Sequence, residues 1–167
     1  LQPLDSALSD LAAIYLGFLG HAFNGQTGRF RNFMSYERNW LEETGSEDSP
    51  GRALWGLGVA VSLGRDKGQV GFAVDLFHRA LQASEHFTHP RAIAFAIIGI
   101  HAFLCRFSGD SRAKRMRKIL SDRLMKLFRD NATTDWPWCA DELSYDNARL
   151  PQALLLSGQW LPDREML

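Results

Sequence analysis

Cysteine is scarce in this chain, and the usual marks of a metal site, a membrane span or a nucleic-acid surface are missing with it. Only Cys105 and Cys139 occur among 167 residues. They lack metal-ligand spacing, and their rarity fits a reducing, cytoplasmic compartment. The pair His86-x-x-His89 has a spacing that metal sites use but no third ligand nearby, so Thr88-His-Pro90 reads as a capped turn. No metal and no cofactor are expected. The longest apolar run, Ala92 to Cys105, contains His101 and falls short of the roughly 20 residues that span a bilayer. It reads as a buried helix, with no membrane partner. Net charge is also absent: 19 basic side chains balance 19 acidic ones. The whole-chain field therefore offers no long-range attraction for nucleic acid or anionic lipid. A local basic run, Arg112-x-Lys-Arg-x-Arg-Lys118 with Arg123, Lys126 and Arg129, has no interleaved aromatics. Its period matches the solvated side of a helix, or a contact with an acidic partner domain. No signal peptide and no convincing strand alternation appear.

What is present is a globular composition, with 46% hydrophobic and 11% aromatic residues, enough for one domain with a real core. Helical periodicity runs through it. Asp5 or Ser6 can cap a helix from Ala7 to Phe23, with Leu8, Leu11, Ala12, Tyr15, Leu16 and Leu19 on one face. Ser49 as cap and Pro50 in the first turn open a second helix, apolar on nearly all sides, that Gly64 stops. Asp66 to Ser84 is one-sided, with Val70, Ala73, Phe77, Ala80 and Leu81 inward, so it is an outer helix. Ala92 to Phe107 is again apolar all round, and Gly109-Asp110-Ser111 starts a third amphipathic helix. A last helix is expected over Ala148 to Leu156. The chain begins at Leu1 rather than Met, and Leu161-Pro-Asp-Arg-Glu165 reads as the start of a further helix, so both ends are expected to continue in a longer protein.

The starts at Ser49-Pro50 and His89-Pro90 lie roughly 40 residues apart, a period typical of stacked helical hairpins. Alternating inner and outer helices predict an all-α fold in two concentric layers, an α/α toroid or solenoid. A closed ring of six hairpins needs on the order of 300 residues, so this chain supplies about half of one.

Two loops empty into inner helices, and both are rich in acids and aromatics. One lies in the segment Tyr36 to Leu57, with Trp40, Glu42, Glu43, Glu47 and Asp48; the other lies in Asp135 to Leu154, with Trp136, Trp138, Glu142, Tyr145 and Asp146, and together residues 31 to 52 and 135 to 149 are expected to form one rim. The blocks Gly28-Arg-Phe-Arg-Asn-Phe-Met-Ser-Tyr-Glu-Arg-Asn-Trp40, Gly45-Ser-Glu-Asp-Ser-Pro-Gly-Arg-Ala-Leu-Trp55 and Leu143-Ser-Tyr-Asp-Asn-Ala-Arg-Leu-Pro-Gln-Ala-Leu154 resemble signature blocks of bacterial glycosyltransferase-associated α/α-toroid proteins. These are similar in fold to six-hairpin glycosidases. The resemblance covers most of residues 5 to 158 and implies a carbohydrate context, without a reaction to carry over.

On such a scaffold the site belongs at the mouth where inner helices begin, because their free N–H groups and positive dipole ends converge there. Glycoside hydrolysis needs one protonated and one ionised carboxyl, about 5 Å apart for retention or roughly 6.5 to 9.5 Å for inversion. Glu47 or Asp48 paired with Glu142 or Asp146 are the candidates for that pair. The same acids can instead be helix caps or first-turn acids that satisfy backbone N–H groups. Tyr36, Trp40, Trp136, Trp138 and Tyr145 offer flat faces on which a sugar ring can stack; Trp55, inside an apolar helix, reads as core. Asn32, Arg52 and Asn147 can hold hydroxyls or an acidic substituent, although Arg52 can equally clamp loop to helix through Glu47 or Asp48. The expected partner is a saccharide, with a glycosyltransferase domain or a second copy completing the ring. A non-catalytic interaction scaffold is the alternative.

Overall fold

A computed structural model describes residues 2–161 and 166, with side chains described from residue 7 onward. The chain is mostly helical: α1 (Gln2–Ala22), α2 (Asp48–Leu63), α3 (Lys67–Leu81), α4 (Pro90–Arg106), α5 (Ser111–Asn131) and α6 (Arg149–Gly158). Two strands of two residues each, β1 (Phe23–Asn24) and β2 (Arg29–Phe30), pair antiparallel after α1. No strand was expected. These arise because Gly28, at φ 69°, turns the chain tightly enough for Phe23 and Phe30 to meet, their rings 5.3 Å apart and both buried. The helix start expected at Leu161 lies, beyond that residue, outside the described residues.

Close backbone approach organises the core. A Cβ on Gly51 would stand 2.8 Å from the Ala92 carbonyl oxygen, and one on Gly58 would stand 2.0 Å from that of Gly99. Both contacts pair residues 41 apart, so α2 and α4 run parallel with their backbones in close contact. At the far end, Arg106 donates to the carbonyls of Val61 and Gly64, each at 2.9 Å. α6 runs the same way, starting beside Arg91 and ending where Ser157 accepts from Ser121 at 2.7 Å. α3 and α5 return in the opposite direction on the outside, each capped by the aspartate that precedes it. Asp66 accepts from the Gln69 N–H and Asp110 from the Ala113 N–H, both at 2.8 Å. The parallel layer of α2, α4 and α6 and the return layer of α3 and α5 agree with the alternation read from the sequence. α4 is the centre: Ala92 through Ile100 are all buried, as the all-round apolar pattern predicts.

Four local expectations differ from the structure. α1 begins at Gln2, so Asp5 and Ser6 lie inside it rather than capping it. α2 begins at Asp48, so Ser49 lies inside it rather than capping it. α3 tightens into a 3-10 turn over Gln82–His86, which accounts for the last residues of the expected outer helix. On α1 the apolar stripe turns outward: Leu8, Leu11, Ile14, Tyr15 and Phe18 are exposed, while Leu16 is buried. Periodicity marks a stripe as apolar but not whether a neighbour lies against it.

Candidate functional site

At the end of the molecule where α2, α4 and α6 begin, Arg52 joins the two loops. Its Nε donates to Asp48 Oδ2 and its Nη2 to Asp146 Oδ2, both at 2.8 Å. Asp146 can reach it because the chain there sits in the left-handed region, φ 51°, which aspartate tolerates better than most residues. Tyr145 Oη donates to the other oxygen of Asp48 at 2.9 Å. Arg91, in the first turn of α4, donates to the Tyr145 carbonyl at 2.6 Å and to Asn147 Oδ1 at 2.8 Å. Asn147 also clips its own turn, accepting from the Ser144 N–H and donating to the Ser144 carbonyl. Residues nearly a hundred positions apart are thus held in one hydrogen-bonded group.

Cations near a helix N-terminus are disfavoured by the dipole, so the arginines here need other partners. Each has a π face as well. Arg52 lies 4.3 Å from the Phe95 ring centroid, Arg91 5.0 Å from that of Tyr145, and Arg149 4.5 Å from that of Trp55. Trp55 and Phe95 are themselves stacked, 8° from parallel, so Trp55 is part of the packed floor. Burial alone would lower the pKa of Arg52, but Asp48 and Asp146 outweigh it and raise the value above the ordinary one. The Tyr145 hydroxyl is pushed up by burial and by its bond to the Asp48 carboxylate.

Beside this clamp lies a cavity of about 230 Å³ lined by Ser46, Glu47, Asp48, His89, Arg91 and Tyr145. It is smaller than the roughly 300 Å³ at which drug-sized pockets begin, so it suits a single ring or substituent. Glu47 is committed within it: its carboxylate accepts from the N–H groups of Thr88 at 2.7 Å and His89 at 2.8 Å, and from the Thr88 hydroxyl at 3.1 Å. It caps α4 from the residue just before α2, where His89 supplies no side-chain cap.

The structure therefore brings together Glu47, Asp48, Arg52, Tyr145, Asp146 and Asn147. The remaining candidates stand apart from this group. Trp40 packs against Phe18 and His21 of α1, and Tyr36 is fully exposed. Asn32 contributes its backbone N–H to the Glu42 carboxylate, and Glu43 is held by Arg31 and Asn24, so these acids shape the loop. Trp136 donates to the Ala140 carbonyl at 2.8 Å, Trp138 packs on the core beside buried Cys139, and Glu142 is exposed. Arg91 and Thr88 belong to the site although neither was expected there; the signal for Arg91 was a cation in the first turn after Pro90, where a dipole argument finds no use for it. Comparison with known proteins finds no matching family model, no matching curated protein and no matching solved structure.

Proposed function

We propose that this chain is a saccharide-binding segment of an α/α toroid, tied to glycosyl transfer, that reads one sugar unit at the mouth of its inner helices. The carrying observation is the clamp of Asp48, Arg52 and Asp146 beneath Tyr145. It fixes a phenol ring that is 51% exposed beside the Arg91 guanidinium and a small polar cavity. A flat amphipathic ring for the sugar face and fixed planar donors for its hydroxyls are what carbohydrate recognition requires. The parallel inner helices, with α3 and α5 returning outside them, support the toroid, as does the resemblance of the three sequence blocks.

Binding is favoured over turnover because the acids are occupied. Asp48 and Asp146 share one guanidinium, so they lie within the roughly 9.5 Å that an inverting pair permits. Yet both are ion-paired, and Glu47 holds backbone N–H groups, which leaves none of the three free to carry a proton to a leaving group. A glycan array probed with this chain tests the reading. Saturable binding to a glycan subset that Tyr145→Ala abolishes, with no hydrolysis of aryl glycosides, is the expected outcome; silence across the array sinks it.

A second reading rests on the outward apolar stripe of α1, which suits a protein-interaction scaffold completed by a transferase domain or a second copy. In that case Glu47→Gln, Asp48→Asn, Glu142→Gln and Asp146→Asn leave partner binding intact, and Ile14→Glu abolishes it.

A further inference from the structure

The basic run on α5 is not all solvated. Arg117 is 5% exposed, and its Nε finds no acceptor among the described residues. Burial lowers its pKa, and no carboxylate among the described residues opposes the effect. An arginine withdrawn from water without a counter-charge is costly, on the order of several kcal/mol, and such groups are normally paired. Arg117 lines a cavity of about 620 Å³ between the end of α4, the first half of α5 and the residues after α6. Lys114 and Lys118 stand on the same wall, and His101 presents a buried Nδ1 that also lacks a partner among the described residues. The remaining wall is apolar and flat, with Leu104 and Trp160, whose ring centroid lies 5.6 Å from the Arg117 guanidinium. The volume falls within the roughly 300–1,000 Å³ of small-molecule sites.

We infer that this cavity binds an organic phosphate, its dianion seated on Arg117 and Lys114 and its flat or apolar body against Trp160 and Leu104. The Arg117 guanidinium and the Lys114 ammonium face one space, with Lys118 beside them paired to Asp122 at 2.8 Å; such a pair of cations matches a dianion better than a carboxylate, and the apolar wall gives no use to a bare ion. The site lies at the opposite end of α4 from the clamp, so it does not depend on the saccharide reading.

Calorimetric titration with 1-naphthyl phosphate tests this. The full chain should bind one equivalent saturably, at least tenfold tighter than inorganic phosphate, 1-naphthol or 1-naphthoate. Arg117→Met should weaken binding at least tenfold, and Trp160→Leu should weaken naphthyl phosphate while leaving inorganic phosphate unchanged. Absence of saturable binding, equal affinity for naphthol or naphthoate, or unchanged affinity in folded Arg117→Met overturns the assignment. Should Arg117→Met fail to fold by circular dichroism, the exposed double change Lys114→Ala with Lys118→Ala decides: threefold or greater weakening supports the site, and no change removes it.

Discussion

Arg52 concentrates the energetics of the mouth in one side chain, and its exposure sets the scale. Its side chain is 43% exposed, so each ion pair is worth only about 0.2–1 kcal/mol, and the guanidinium on Phe95 adds about 0.5–1 kcal/mol. Arg52→Met should therefore cost about 1–2 kcal/mol in urea unfolding. Arg52→Lys should restore less than half of that, because an ammonium cannot bridge two carboxylates in one plane. Asp110 provides a sharper test because its effect has a pH signature. Burial alone would raise its pKa, but the Ala113 N–H, His78 and Arg112 bring it below the ordinary 3.8. A carboxyl whose folded pKa is depressed contributes stability above its unfolded pKa and loses it as the pH falls through the folded one. Asp110→Asn keeps the capping oxygen. Wild type should thus be the more stable at pH 7, with the difference shrinking to nothing as the pH falls below that 3.8; a gap independent of pH would contradict the assignment.

Glycines decide how close α2 and α4 come. A Cβ at Gly58 would meet the Gly99 carbonyl oxygen at 2.0 Å, and one at Gly99 would meet that of Leu54 at 2.4 Å, so backbone rather than a movable side chain must yield. Gly58→Ala should cost about 3 kcal/mol or more, at the upper end of overpacking effects. Gly56, two residues earlier and exposed, has nothing within 4 Å of its would-be Cβ. There alanine should stabilise the same helix by about 0.5–1 kcal/mol. Thermal unfolding of the two variants should move in opposite directions. The elements themselves were legible: Pro50, Pro90, Asp66 and Asp110 mark helix starts, and all-round apolarity marks α4 as an inner helix, because these are local signals. What escaped was non-local. Glu47 caps α4 through the His89 N–H, 42 residues away from it, a service for which a sequence window holds no pattern. The stripe on α1 was readable, its direction was not. Two loops were expected to share one mouth, and the hydrogen bonds of Arg52 and Tyr145 join Asp48 to Asp146, yet the aromatic candidates Trp40 and Trp138 went to packing, since composition does not distinguish a rim tryptophan from a core one. Arg117 was hidden in the same way, as one cation in the run 112–118 whose other basic members are exposed; further along α5, Arg123 also turns inward, donating to the Glu85 and Phe87 carbonyls.

At the scale of the whole molecule, α4 separates two charged ends of different character. At its start, Arg52 is paired with Asp48 and Asp146; near its end, Arg117 has no carboxylate partner among the described residues. His101 lies ten residues beyond Arg91 on this helix, about 15 Å of axial rise, and the segment between them is buried and close-packed. Removing the cation should consequently have opposite signs at the two ends. Arg52→Met breaks satisfied pairs and destabilises, whereas Arg117→Met replaces an uncompensated buried charge with an apolar chain of similar length. The second change is expected to be stabilising by about 1–4 kcal/mol, the range seen when buried charges give way to packed apolar groups. Sites further apart than about 7–10 Å with no shared partner add to within about 0.5 kcal/mol. Urea midpoints of the double variant should therefore equal the sum of the single shifts. A coupling well above that value would mean that α4 transmits strain between its ends, and the clamp and the basic cavity would then have to be treated as one device.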